Sequence, residues 1–116
     1  MGTQKPLVID LLDNGEYQSL LRGEPKTYGM RAGRVFLKPG EECGEHTTGT
    51  REELLIFLSG KGQAEIEGDI LDVAAGKVAY IPPETKHNIK NNSETEALSY
   101  IYCVAPAGRA GEKEDE

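Results

Sequence analysis

The chain has 116 residues, of which 37% are hydrophobic and 14 are glycines. This length fits a single domain with its own core. The 20 acidic and 13 basic residues give a formal net charge of -7, which argues against nucleic-acid binding because the phosphates would be repelled.

Membrane contact is not expected either. The longest apolar run extends from Leu54 to Leu58, whereas a helix that spans a bilayer needs roughly 20 residues. No basic and then apolar leader opens the chain, so we expect a cytoplasmic protein. Cys43 and Cys103 could form a disulfide by count alone, but two buried free thiols in a reducing compartment are the preferred prediction.

The N-terminal third contains three predicted strands and one short predicted helix. Residues 7–12 are apolar enough for a first strand. Residues 16–22 place apolar side chains at helical spacing, which predicts a short helix that ends at Gly23. Residues 27–31 and 33–38 are predicted to be strands.

The rest of the chain is predicted to form short strands, at residues 43–47, 53–59, 62–67, 70–74, 77–81, 87–90 and 97–104. The consecutive apolar residues from Leu54 to Leu58 predict a strand covered on both faces, the outer one by a second sheet, the N-terminal segment or a partner subunit. Gly68-Asp69 predicts a two-residue hairpin.

This series of nine or ten short strands with almost no helix is typical of a β-sandwich or barrel. We expect one domain over residues 1–105. Residues 106–116 are small and acidic, and we predict that they form a disordered tail.

The two histidines suggest a metal site. His46 and Glu53 are seven residues apart, about 23 Å along a straight strand, so they can meet only if the chain turns between them. Residues 47–51 have the small and polar composition of such a turn. His87, the other histidine, follows a proline-containing turn. Two imidazoles and one carboxylate are the ligand set of a facial triad with open coordination positions.

Two stretches resemble the paired motifs of the cupin superfamily, in particular its small single-domain microbial members. The first motif matches here at Gly40, His46, Glu53 and Gly60. The second matches at Gly76, Pro82, His87 and Asn91. The segment between the motifs, 15 residues long from Lys61 to Ala75, is short, as in small microbial cupins.

The resemblance implies an all-β double-stranded β-helix, or jelly-roll barrel, with a divalent ion near its mouth. It implies that His46, Glu53 and His87 are ligands of Fe, Mn, Ni or Zn. Thr48 replaces the usual second histidine, so the centre either has three protein ligands or has lost its metal. Glu84 replaces a motif glycine, which is expected to affect only turn geometry.

Three functions remain open at this point, one of which is that of a purely structural partner protein. The first is a metal-binding cupin that binds or transforms a small organic molecule inside the barrel; as an enzyme it would be of dioxygenase, isomerase or decarboxylase type. The alternative is a non-catalytic sensor or sugar-binding module, which the missing second histidine favours. No catalytic residue apart from the ligands can be named. The doubly apolar strand and the apolar N-terminal segment also predict a homodimer.

Several other side chains have two interpretations. Glu53 could instead be wet and paired with Arg51 or Lys86. A set of aromatic and apolar side chains could line a ligand pocket or fill the core: Tyr28, Tyr80, Tyr100, Tyr102, Phe57 and Met30. Three arginines could receive a carboxylate or phosphate of a ligand or lie on the surface: Arg31, Arg34 and Arg51.

Overall fold

The structure, a computed structural model, describes residues 4–108. Within this range the chain forms nine β-strands and no helix, which confirms the all-β prediction. The strands are β1 (Gln18–Arg22), β2 (Arg31–Leu37), β3 (His46–Thr47), β4 (Arg51–Ser59), β5 (Lys61–Ile66), β6 (Asp69–Ala74), β7 (Val78–Ile81), β8 (Lys86–Lys90) and β9 (Leu98–Pro106).

The strands form two antiparallel sheets. One sheet has the order β1-β2-β9-β4-β7 and the other has the order β3-β8-β5-β6. Inward-facing side chains of both sheets pack into one buried cluster, whose members are Leu37, Leu55, Phe57, Ala64, Val73, Ile81, Ile89, Leu98 and Tyr100. This arrangement fits the predicted jelly-roll barrel.

Strand β4 is covered on one face only. Glu53, Leu55 and Phe57 face the interior and are at most 8% exposed, whereas Leu54 and Leu58 are 39% and 40% exposed. Within residues 4–108 only one face is covered, so the predicted cover of the outer face does not come from the described chain itself. Neither the second sheet nor the N-terminal segment buries the outer face, which leaves a partner subunit as the remaining predicted cover.

The predictions for the N-terminal segment were also wrong. Residues 7–12 are not a strand; they are held to the surface by the side chain of Gln18, which donates to the Asp10 carbonyl at 2.9 Å. A helix was predicted over residues 16–22, but residues 18–22 form strand β1, which pairs with β2. A seven-residue apolar pattern is too short to separate the two periods, and pairing with the open edge of β2 selects the strand.

Smaller corrections concern strand ends and turns. Residues 27–30 form a turn, so β2 is the only strand between 27 and 38. The residues of the hairpin loop are Glu67 and Gly68, both with positive φ, one position earlier than predicted, because Ile66 pairs with Asp69. Strand β9 extends through Pro106, the first residue of the predicted tail, and residues 109–116 lie outside the described range. No helix of the described residues could cross a membrane.

Candidate metal centre

The three predicted ligand residues come from three strands and both sheets. Strands β3 and β8 pair so that His46 lies directly opposite His87, with ring centroids 4.1 Å apart. Glu53 faces inward from β4 in the other sheet. One ligand atom from each of the three side chains lies within 4.8 Å of the others, slightly wider than the roughly 4 Å that bonds of about 2.0–2.2 Å to one ion allow.

Both imidazole rings are oriented by backbone carbonyl groups. Nδ1 of His46 lies 2.8 Å from the Gly44 carbonyl oxygen, and Nδ1 of His87 lies 3.0 Å from the Thr85 carbonyl oxygen. A carbonyl oxygen only accepts, so each Nδ1 carries the hydrogen. In the neutral ring, Nε2 then has a free lone pair, which is the tautomer that a metal ligand requires.

Glu53 and His87 form a buried pair. Nε2 of His87 lies 3.0 Å from Oε1 of Glu53, yet it makes no well-aligned hydrogen bond. Burial lowers the pKa of His87, but the nearby Glu53 carboxylate and the Thr85 carbonyl outweigh this effect, so the pKa is raised. Glu53 is therefore not wet and paired with Arg51 or Lys86; its charge is compensated from inside the barrel.

Thr48, at the position of the motif's second histidine, joins two loops. Its hydroxyl donates to the Pro82 carbonyl at 2.7 Å and accepts from the Thr85 backbone N–H at 3.1 Å. The threonine thus holds the loop after β3 against the loop before β8. Both hydrogen bonds of the Thr48 hydroxyl go to the segment before β8. Thr48 therefore positions the segment that carries His87.

The candidate ligands open into a cavity of about 370 Å³ between the two sheets. Its walls are mainly apolar and aromatic, with two arginines. The lining residues other than His46, Glu53 and His87 are Tyr17, Arg31, Val35, Cys43, Thr47, Thr48, Arg51, Leu55, Ile89, Tyr100, Tyr102 and Val104.

The structure separates the predicted pocket residues into three groups. Tyr100 and Tyr102 line the cavity, and Phe57 belongs to the core. Tyr28, Tyr80 and Met30 are exposed at the surface. The lining tyrosines were therefore identifiable only in part from sequence.

The three arginines also separate. Arg31 and Arg51 line the cavity. Arg34 is 7% exposed and faces away from the cavity; its guanidinium donates to the Leu12 carbonyl at 2.8 Å and to the Glu16 carbonyl at 3.1 Å. Arg34 is a structural residue that holds the N-terminal segment.

Two further residues differ from expectation. Cys43 is a free thiol in the cavity wall, where burial of its sulfur raises its pKa, although the residue as a whole is exposed; Cys103 is partly buried. Tyr17, which sequence analysis placed on a helix, also lines the cavity, and its hydroxyl lies 2.6 Å from that of Tyr102. Tyr17 directly precedes β1, and the irregular burial along this strand gives no alternating signal that would have placed Tyr17 in the cavity wall.

Two facing antiparallel sheets with a His/Glu/His cluster between them define a cupin-type barrel. The chain belongs to this family, since the Cupin domain family model matches residues 33–104. A protein named polyketide synthase CurC, from Streptomyces cyaneus, is 24% identical over 128 residues, which cover 100% of this chain and 82% of the relative.

Two further comparisons agree with this family assignment. A probable oxalate decarboxylase from Arthroderma benhamiae is 40% identical over 72 residues, which cover 58% of this chain and 18% of the relative. The crystal structure of a Cupin 2 conserved barrel domain protein from Salinispora arenicola has a TM-score of 0.72 and 22% identity, and the match covers 89% of this chain and 92% of that one. The structural likeness shows the shared fold.

Proposed function

We propose that this protein is a metal-binding cupin that binds and transforms a small organic molecule inside its barrel. The divalent ion would be held by His46, Glu53 and His87, with Fe, Mn, Ni and Zn all compatible with two imidazoles and a carboxylate. Because only three protein ligands are offered, positions would remain open for oxygen atoms of the bound molecule.

The observation that carries this proposal is the buried Nε2 of His87, which lies 3.0 Å from the Glu53 carboxylate without an aligned hydrogen bond. A buried polar nitrogen without an aligned partner costs free energy. Its Nδ1 is already bonded to Thr85, so a cation placed between Nε2 and the Glu53 carboxylate would satisfy both groups. His46 contributes the same tautomer from the opposite strand.

The chain's own residues would prepare the site for chemistry. A divalent ion held here would act as a Lewis acid toward an oxygen of the bound molecule. Gly44 and Thr85 fix the ring orientations through their carbonyls, and Thr48 fixes the loop that carries Thr85. The apolar walls would exclude water from the reacting part of the ligand.

The printed names of two relatives favour transformation over simple binding. One is called a polyketide synthase and the other a probable oxalate decarboxylase. We therefore prefer metal-assisted chemistry on a small organic acid or a related oxygen-rich molecule to non-catalytic binding.

A second candidate is a non-catalytic sensor or sugar-binding module in the same cavity. One observation favours it: among the described lining residues, every histidine and carboxylate belongs to the proposed ligand set. No separate general base or acid of these types is available, and catalysis would have to use the ligands, Cys43 or the tyrosines.

Metal analysis of protein purified without an affinity tag tests the proposal. We expect nearly one equivalent of iron, manganese, nickel or zinc in the wild type, and its loss in His87→Ala. The matched control is Glu52→Gln, a carboxylate next to Glu53 that bonds Tyr80 on the outer face and should leave metal content unchanged. Wild-type protein that stays metal-free after incubation with each of these ions would refute the metal site; if such protein still bound a ligand, the second candidate would stand.

We also propose a homodimer formed through the outer face of the larger sheet. Four apolar side chains of adjacent strands β4 and β7 are exposed there by 39–61%: Leu54, Leu58, Val78 and Tyr80. In the described chain, nothing covers them, and a contiguous apolar patch of this kind is typical of subunit contacts. A second copy would bury the same strands from its own sheet around a two-fold axis.

A further inference from the structure

Two guanidinium groups line the wall of the cavity that holds Glu53. Arg31 on β2 pairs with Val104 on β9, and Val104 pairs with Glu53 on β4. The Cα atoms of Arg31 and Glu53 are therefore about 10 Å apart, two strand spacings. Arg51 precedes Glu53 by two residues on the same face of β4, about 7 Å along the strand. Both side chains are long enough to reach a molecule bound beside Glu53.

Neither guanidinium is ion-paired or hydrogen-bonded within the described chain. Arg34 is bonded to backbone oxygens of the N-terminal segment, which explains its burial. By contrast, the side chains of Arg31 and Arg51 have no ion-pair or hydrogen-bond partner among residues 4–108. Two unpaired arginines in one cavity wall suit the recognition of an anion, because a guanidinium offers several donors in a fixed plane.

The charge inside the cavity is opposite to that of the whole chain. The protein has a formal net charge of -7, yet the lining contains two arginines and a single carboxylate, Glu53. With both histidines neutral, the lining alone is positive, and a divalent ion would make it more so. A net positive charge between apolar walls raises the local concentration of anions in a cleft.

The other lining residues indicate the chemical character of the rest of the ligand. Val35, Leu55 and Ile89 offer apolar surface. The hydroxyls of Tyr17 and Tyr102 lie 2.6 Å apart; burial and the hydrogen bond with Tyr17 raise the pKa of Tyr102, so Tyr102 stays protonated and the hydroxyl pair can donate to oxygen. The cavity thus combines apolar surface with neutral and cationic donors.

We infer that the cavity selects small organic anions with an apolar body, whose carboxylate or phosphate is received by Arg31 and Arg51. This inference rests on the proposed function, since it names the class of molecule that the metal site would act on. The two arginines are specificity-determining residues, and the metal ligands are separate from them.

Calorimetric titration with benzoate and with benzamide tests the inference, since the two probes have nearly the same shape and differ in charge. In metal-loaded wild type we expect benzoate to bind at least about tenfold more tightly than benzamide, and Arg31→Gln and Arg51→Gln each to weaken benzoate binding by about tenfold or more. Both variants should bind benzamide within about twofold of wild type. Phenyl phosphate, titrated in parallel, identifies which of the two anionic groups is preferred.

Arg22→Gln is the matched control, because it removes the same charge from the same sheet at a residue that does not line the cavity; it should leave benzoate binding unchanged. Equal binding of benzoate and benzamide, or no binding of either at millimolar concentration, would overturn the inference. An equal loss of affinity for benzoate and benzamide in the arginine variants would also overturn the inference. It would indicate that the arginines affect only the shape of the cavity. Metal content, measured on each variant, separates this result from failure of the metal site: the arginine variants should keep their metal, and anion preference can also be measured in metal-free protein.

Discussion

Nε2 of His87 and Oε1 of Glu53 lie 3.0 Å apart and join the two sheets across the barrel. His87 belongs to β8 in the four-stranded sheet, and Glu53 belongs to β4 in the five-stranded sheet. This pair brings the proposed metal ligands together at a point where the sheets face each other, so an ion bound there would couple to the packing of the sheets.

Glu53→Gln should remove most of the metal affinity while keeping the shape of the side chain. An amide is a weaker ligand than a carboxylate and cannot neutralise the ion. We expect added metal to raise the Tm of the wild type and to leave the Tm of Glu53→Gln unchanged, because only a state that binds the ion is stabilised by it. Glu52→Gln is the control and should respond like the wild type; a full metal-dependent shift in Glu53→Gln would exclude Glu53 as a ligand.

Thr48→Val should destabilise the fold without removing the metal. The valine leaves the Pro82 carbonyl and the Thr85 N–H without their present partners, at a cost of about 1–3 kcal/mol. Urea unfolding measures the loss, and Thr48→Ser should recover most of it because it keeps the hydroxyl. If Thr48→Val folded normally but lost its metal, Thr48 would be a ligand.

Glu84→Gly should stabilise the protein by roughly 1 kcal/mol, since a left-handed conformation costs a residue with a Cβ about 1–2 kcal/mol. Glu84 has a φ of 57° in the loop before β8, where its N–H donates to the Gly49 carbonyl at 2.8 Å. Glu84→Ala retains the Cβ and should give no such gain. An equal gain in both variants, measured by urea unfolding, would show that removal of the Glu84 charge is the cause.

Leu54→Lys should convert the proposed dimer into a monomer. A lysine in the middle of the outer face of β4 would bury an unpaired charge between two copies. Leu71 on β6 is 51% exposed on the other sheet, so Leu71→Lys is the matched control and should remain dimeric. Sedimentation at micromolar concentration distinguishes the two states, and a wild type that is already monomeric under these conditions would refute the dimer.

Alkaline pH should destabilise the folded chain through Tyr102. Burial and the hydrogen bond with Tyr17 raise the pKa of Tyr102 above its ordinary value of 10.0. Below that value both states are protonated; above it the unfolded state loses its proton first, so the free energy of unfolding falls as pH rises. Tyr17→Phe should reduce this fall in urea-unfolding experiments, whereas Tyr28→Phe, on a ring 79% exposed, should not. An unchanged slope in Tyr17→Phe would contradict this origin.

The strand-rich class and most of the central strands could be predicted from the order of residues along the chain. Alternating and consecutive apolar residues between turns produce this signal, as in β5, where Ala64 and Ile66 alternate with polar positions. The motif spacing also indicated that both histidines of the chain and the carboxylate of Glu53 belong to one site. These features depend on local periodicity and on residue identity, both of which are visible along one chain.

The conformation of the N-terminal segment and the orientation of individual side chains depend on contacts between distant parts of the chain. Whether residues 16–22 became helix or strand depended on the open edge of β2, which lies elsewhere in the chain. Arg31 and Arg34 could not be separated by sequence, although one faces the cavity and the other holds the N-terminal segment. The direction of a side chain is fixed by register with neighbouring strands, and register arises only when distant segments pair.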